Sequence, residues 1–267
     1  MNAIPYWHVD AFADRAFGGN QAAVMILDHW PADSVLQAIG AENNFAETAF
    51  LVKDDSGAAD WELRWFTPEC EIRLCGHATL ASGHVLLSRD SDLQRVTFST
   101  RKAGLLSLQR GDGDLYELAL PAIHTEPQEW AEASELLGGQ VRQVWRNSDR
   151  YNIFLFDSEQ DIRALTPDFR ALATLGDHQF ICTAPGDACD VVSRVFVPGA
   201  GVNEDSVTGS AHAVLAPFWA KRLGRTSFTA HQASRRGGDL TCRLDDERVW
   251  LGGPCVTVVE GRFYLPE

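Results

Sequence analysis

One pattern in this chain occurs twice, and it limits the possible folds more than any other feature. Arg64-Trp65-Phe66-Thr67-Pro68 precedes Leu74-Cys75-Gly76-His77-Ala78-Thr79-Leu80-Ala81, and Arg194-Val195-Phe196-Val197-Pro198 precedes Val207-Thr208-Gly209-Ser210-Ala211-His212-Ala213. From the proline to the motif residue is seven positions in the first copy (Pro68 to Cys75) and ten in the second (Pro198 to Thr208). The chain therefore reads as one unit written twice, with a short insertion in the second copy. Its 267 residues suffice for one large or two medium domains, each with its own core.

The local patterns are the same in both copies. Trp7–Phe12, Phe45–Val52 and Trp61–Phe66 read as strands, and Gly76 opens a helix through Leu87. That helix is apolar or small nearly all round, which predicts burial on every side. Short strands follow at Val96–Thr100, Gly104–Leu108 and Leu115–Leu120, and Pro121 to Pro127 is the best linker candidate. This divides the chain into halves at 1–123 and 124–267. In the second half, Glu129–Leu137 is an amphipathic helix, and a further helix starts with Thr166 as cap and Pro167 at its first position. Strands at Phe180–Thr183 and Val191–Val197 lead to a second apolar helix from Ser210 to Leu223, stopped by Gly224. The tail reads as short strands at Leu240–Leu244, Val249–Leu251, Cys255–Val259 and Phe263–Leu265. The expected fold class is α+β: each half a curved β-sheet or barrel wrapped around its own central helix, with a cleft between the halves.

Composition excludes several functions. A net charge of −14 and a pI near 4.9 argue against nucleic acid as a partner, and an anionic ligand would need strong local donors. No run approaches the 18 apolar residues of a membrane span, and the start shows no basic region followed by an apolar run. Six cysteines without a Cys-x-x-Cys pair fit a reduced, cytoplasmic chain.

A helix that begins at glycine exposes unpaired amides and the positive end of its dipole, so Gly76-His77 and Gly209-Ser210 are candidate anion cradles. They are also what two ordinary helix starts with small packing residues would look like. Glu47 lies in an apolar strand between Ala46 and Ala49, where burial would raise its pKa toward a value useful for proton transfer; a structural buried glutamate is the other reading. Asp205 is a second candidate carboxylate, or part of a solvated acidic loop. His77, His84 and His212 lack metal-ligand spacing, so no metal is expected. Gly18-Gly19-Asn20 lacks the third glycine of a dinucleotide fingerprint. Cys75 sits at a helix start, but its counterpart is Thr208, which cannot replace a thiolate as base near neutral pH.

Together, Phe17-Gly18-Gly19-Asn20-Gln21-Ala22-Ala23-Val24, Glu47-Thr48-Ala49-Phe50, Arg64–Pro68, Cys75–Ala81, Glu204–His212 and Gln232–Gly238 resemble the phenazine-biosynthesis PhzF-like family. The resemblance implies the diaminopimelate-epimerase-like fold, an active site between the halves, a homodimer, and cofactor-free isomerisation of a small carboxylic acid. In the phenazine enzyme that acid is a dihydro-hydroxyanthranilate. It places proton transfer on Glu47, with His77 and Asp205 as further catalytic residues, and substrate binding on Asn20, Gly76, Gly209 and Ser210. Three positions depart from the pattern: Ser206 stands where proline is usual, Ala46 where a serine often precedes the glutamate, and Gln21 where proline usually follows Asn20. Two other readings stay open: a thiol-dependent racemase or epimerase using Cys75, and a non-catalytic ligand-binding protein on the same fold.

Overall fold

The computed structural model describes residues 2–265. The chain forms two compact units, one of Met1–Ala119 with Gly252–Glu267 and one of Leu120–Leu251. In chain order the elements are β1 (Asn2–Ala11), β2 (Asn20–Leu27), α1 (Asp33–Asn43), β3 (Glu47–Lys53), β4 (Trp61–Phe66), β5 (Glu71–Ile72), α2 (Gly76–Ser88), β6 (Arg95–Thr100), β7 (Gly104–Arg110) and β8 (Leu115–Pro121). They continue with β9 (Glu126–Pro127), α3 (Ala131–Leu136), β10 (Gln143–Arg146), β11 (Tyr151–Leu155), α4 (Glu159–Ala164), α5 (Phe169–Thr174), β12 (Gln179–Pro185) and β13 (Val191–Val197). After a 3-10 turn come β14 (Val202–Asp205), α6 (Gly209–Leu223), β15 (Ser227–Gln232), β16 (Gly238–Asp245) and β17 (Arg248–Leu265).

In the first unit the ladder runs β1, β2, β3, β4, β6, β7, β8 and β17, and β17 returns to β1, so the sheet closes into a barrel. Its inside is filled by α2, on which every residue except His84 and Ser88 is buried. The fit requires Gly83, where a Cβ would lie 2.3 Å from Leu108 Cδ2. A second apolar layer lies outside the barrel, where Leu36 and Ile39 of α1 meet Met25, Leu27, Phe50, Val52 and Phe66. β3 is thus buried on both faces, which explains why it reads as a continuous apolar run rather than an alternation.

The second unit repeats this scheme. β11 and β12 pair in parallel, as β2 and β3 do, and β13 pairs in parallel with β15 as β4 does with β6. α6 takes the place of α2 and is buried at most positions, while α3, α4 and α5 cover the other face over Phe154, Phe180 and Phe196. The Arg-x-Phe spacing now has a physical reason. Residues two apart share a strand face, so Arg64 lies 5.0 Å over the Phe66 ring and Arg194 5.0 Å over that of Phe196. Each arginine then forks onto a glutamate of the next strand: Arg64 Nε and a terminal nitrogen reach Glu71 at 2.7 and 2.9 Å, and those of Arg194 reach Glu204 at 2.7 and 3.1 Å.

Three expectations differ from what is observed. The 124–267 half does not keep its tail. β17 pairs with β1 from Asn2↔Leu265 to Ala11↔Cys255, which returns the chain to the first unit at Gly252 and moves the division from 123 to 119. The separate tail strands Val249–Leu251, Cys255–Val259 and Phe263–Leu265 are one strand, β17. Thr166 is not a helix cap: Asp168 caps α5 by accepting from the Ala171 amide at 2.9 Å, and Ser158 with Asp161 forms a capping box on the unforeseen α4. No helix among the described residues is long and apolar enough to cross a membrane.

Candidate active site

The site of the first unit is built where β2 and β3 begin beside the start of α2. The register of this parallel pair sets Ala22 against Glu47, so Asn20 and Glu47 both lie at the mouth of the ladder. Gly19 makes the approach of Asn20 possible: its φ is +58°, and a Cβ there would sit 2.1 Å from the Ala11 carbonyl oxygen. The same turn holds Phe12 and Phe17 at φ 59° and 72°, a conformation side chains rarely adopt, and Phe17 is 80% exposed.

His77, the second residue of α2, is buried and gathers the others. Its Nε2 is 2.9 Å from Glu47 Oε2, its Nδ1 is 3.1 Å from the Asn20 side-chain amide nitrogen, and the Cys75 sulfur lies 3.5 Å from Nδ1. With the amide donating to Nδ1, the ring proton of the neutral imidazole is on Nε2, facing the carboxylate. A second proton on Nδ1 would be matched by turning the Asn20 amide to present its oxygen. Glu47 Oε2 is sheltered from solvent and faces His77 Nε2 at 2.9 Å. The Glu47 side chain as a whole is 16% exposed, so the carboxylate is half-sheltered rather than sealed in.

Burial lowers the affinity of His77 for a second proton, but the Cys75 sulfur and the Glu47 carboxylate together outweigh it and hold the imidazole well above its ordinary value of 6.5. Burial, reinforced by the Glu47 charge, pushes the Cys75 thiol up to about 11. The sulfur is therefore protonated at neutral pH, and Glu47 is the charged partner that remains for His77. The helix start does not activate this cysteine, because desolvation in the barrel outweighs the dipole.

Glu47, Cys75 and His77 offer carboxylate, thiol and imidazole donors within 4.8 Å of one another, a mixed set of the kind zinc accepts. A metal would first have to displace the proton of that high-pKa thiol. His84 and His212 take no part in the cluster. His84 Nε2 is 2.9 Å from Thr257 Oγ1, the His212 Nδ1 is 2.8 Å from the Thr208 carbonyl oxygen, and burial depresses both rings to about 4.

In the second unit Asp205, Thr208 and Ser210 cluster at the start of α6. Thr208 donates its hydroxyl to Asp205 Oδ2 at 2.6 Å, and Gln232 fixes this turn by accepting from the Thr208 amide at 2.8 Å and donating to the Asp205 carbonyl oxygen at 2.8 Å. The Ser210 hydroxyl accepts from Gln179 Nε2 at 3.0 Å. Neither Cys75 nor Thr208 spends its side chain on capping its helix, so the first-turn amides of α2 and α6 are not taken by their own caps. Gln179 was not foreseen as a site residue, and Gln232 appeared only within the Gln232–Gly238 motif. Two of the three departures find local partners. Gln21 Nε2 lies 3.2 Å from His8 Nε2, and the Ser206 carbonyl oxygen accepts from the Ser234 hydroxyl at 2.7 Å.

Comparison with known proteins agrees with this architecture. Residues 9–261 match the profile of the phenazine biosynthesis-like (PhzC-PhzF) proteins. A Pseudomonas aeruginosa protein named as an uncharacterized isomerase is 45% identical over 98% of this chain and 99% of its own length, and one from Halalkalibacterium halodurans is 42% identical over 99% and 100%. The crystal structure of an Enterococcus faecalis PhzF-family protein superposes with a TM-score of 0.91 at 41% identity, over 99% of this chain and 100% of that one. A hydroxyproline epimerase of Agrobacterium vitis shares the fold at a TM-score of 0.62 and 12% identity, over 97% and 92% of the two chains. The chain has the epimerase-like α+β fold and belongs to the phenazine biosynthesis-like PhzC-PhzF family.

Proposed function

We propose that this protein is an isomerase that moves a proton between carbons of a small amino or hydroxy carboxylic acid, with Glu47 as the general acid and base. The observation that carries this reading is the Glu47 carboxylate: Oε2 is sheltered against His77 Nε2 at 2.9 Å, while the side chain as a whole stays 16% exposed. A carboxylate held at one oxygen by an imidazole presents its other oxygen to take a proton. The Glu47 carboxylate removes a proton from an activated carbon, and the electron pair delocalises into the substrate. The same carboxyl then returns the proton to a second carbon on the same face. One C–H bond breaks and another forms, with no change of oxidation state, so the step calls for no cofactor. In the first unit His77 orients a ring or amino substituent, Asn20 fixes the His77 ring and the Gly76 amide holds a carboxylate oxygen; in the second, Asp205 is the matching candidate for the substituent and the Gly209-Ser210 amides for a carboxylate. The names of the Pseudomonas and Halalkalibacterium relatives support the reaction class. A homodimer in the cytoplasm is the expected working state.

Incubation with a panel of small amino and hydroxy carboxylic acids in deuterated water tests the proposal. The substrate takes up carbon-bound deuterium in the presence of the protein, and Glu47→Gln abolishes the uptake while leaving binding intact. A fully active Gln variant would overturn the assignment. A protein that bound a panel acid without exchanging any carbon-bound hydrogen would be a binder, not an isomerase. The protonated thiol also argues against a thiol racemase, so Cys75→Ser retains activity; loss of all turnover in that variant would restore the thiol mechanism.

A further inference from the structure

The ladder register shows which residue of the second unit stands where Glu47 stands in the first. In the β3–β4 pair Thr48 faces Phe66, and in the β12–β13 pair Phe180 faces Phe196. Phe66 and Phe196 are the same residue of the repeated Arg-x-Phe-x-Pro motif, so one step back along each strand matches Glu47 with Gln179. Both are the first residues of their strands, and both strands pair in parallel with the one preceding them in the sheet. Each also touches the second residue of its motif helix: Glu47 meets His77 at 2.9 Å, and Gln179 meets Ser210 at 3.0 Å.

We propose that Gln179 is a positioning residue that holds the Ser210 hydroxyl as a hydrogen-bond donor toward a carboxylate at the start of α6. This inference rests on the reading that Ser210 binds the substrate carboxylate. Because Gln179 Nε2 donates to Ser210 Oγ, the serine spends a lone pair there and its own hydrogen is left for another acceptor. The α6 start favours a negative acceptor, through its amides and its dipole. A glutamate at this position would reverse the arrangement: it would accept the Ser210 hydrogen and set a second negative charge beside the carboxylate in a chain already at −14. The second unit thus keeps the shape of the Glu47 arrangement but not its charge, since an amide neither takes up nor gives off a proton near neutral pH. With the amide donating to Ser210, Gln179 Oε1 is buried without a partner. Such a group costs stability and is kept where it serves a site.

Calorimetric binding of anthranilate and of its neutral analogue anthranilamide tests this. The wild-type protein prefers anthranilate. Gln179→Glu reduces that preference by about tenfold or more, because a like charge faces the anion. Gln179→Leu weakens anthranilate binding by about fivefold, the value of one lost orienting hydrogen bond, and has no further effect once Ser210→Ala is present. A residue that only supported the fold would lower the melting temperature, weaken both ligands alike, and act regardless of Ser210. The inference is overturned by a wild-type protein with no preference for anthranilate, by a Gln179→Glu variant that keeps that preference, or by additive Gln179→Leu and Ser210→Ala effects. Should the Leu variant fail to fold, Gln179→Glu, nearly identical in shape, decides the question alone. Failure of the deuterium test strikes Glu47 and leaves this cycle intact, whereas failure of the cycle strikes Gln179 and leaves Glu47 untouched.

Discussion

At the scale of single residues, the contact between Glu47 and His77 decides which group can move a proton. Burial alone would keep a histidine neutral, and it does so at His84 and His212, both depressed to about 4. His77 moves the other way because a thiol and a carboxylate lie within reach of its ring. Its folded value is raised above the unfolded 6.5, so its contribution to stability is complete below 6.5 and fades as pH rises through the folded value. Glu47→Gln should therefore drop the His77 ring to 6.5 or below, because burial then acts nearly alone. An NMR titration of the ring protons reads this directly, and an unchanged midpoint would show that Glu47 is not the charged partner. Glu47 itself was legible as a carboxylate in an apolar strand. Its contact with His77, thirty positions away, was not, because it depends on how α2 enters the barrel.

At the scale of elements, the two glycine-led helices were readable because they are small or apolar nearly all round, and only a surrounding sheet can bury such a helix. Gly83 measures how close that wrapping is. Gly83→Ala places a methyl against the Leu108 side chain and should destabilise the protein by about 1–3 kcal/mol. Trimming Leu108 to Ala in the same chain should make the pair less costly than the sum of the two changes. Strictly additive urea midpoints would mean that the helix and β7 are not in contact. Gln179 was hidden at this scale. From Glu47 to Arg64 is seventeen positions and from Gln179 to Arg194 fifteen, so counting along the chain misaligns them. The ladder, which counts from the pairings of Phe66 with Thr48 and of Phe196 with Phe180, does not.

At the scale of the whole molecule, β17 makes the first unit depend on the end of the chain. A chain stopped after Leu251 would lose every register from Asn2↔Leu265 to Ala11↔Cys255 and expose an unpaired edge on β1. Hydrogen exchange should then show β1 and β2 unprotected while α6 in the other unit keeps its protection; slow exchange in β1 of the shortened chain would refute this. The two Arg-x-Phe-x-Pro copies, the buried helices they introduce and the isolated carboxylate of Glu47 were determined by the sequence itself, because each follows from local spacing and side-chain character. The return of the tail to the first unit, the meeting of Asn20, Cys75 and His77 with Glu47, and the equivalence of Gln179 with Glu47 were decided only by the tertiary structure. Strand pairing joins residues far apart in the chain. A shift of one residue in its register would turn Asn20, Glu47 and Gln179 to the opposite face of the sheet.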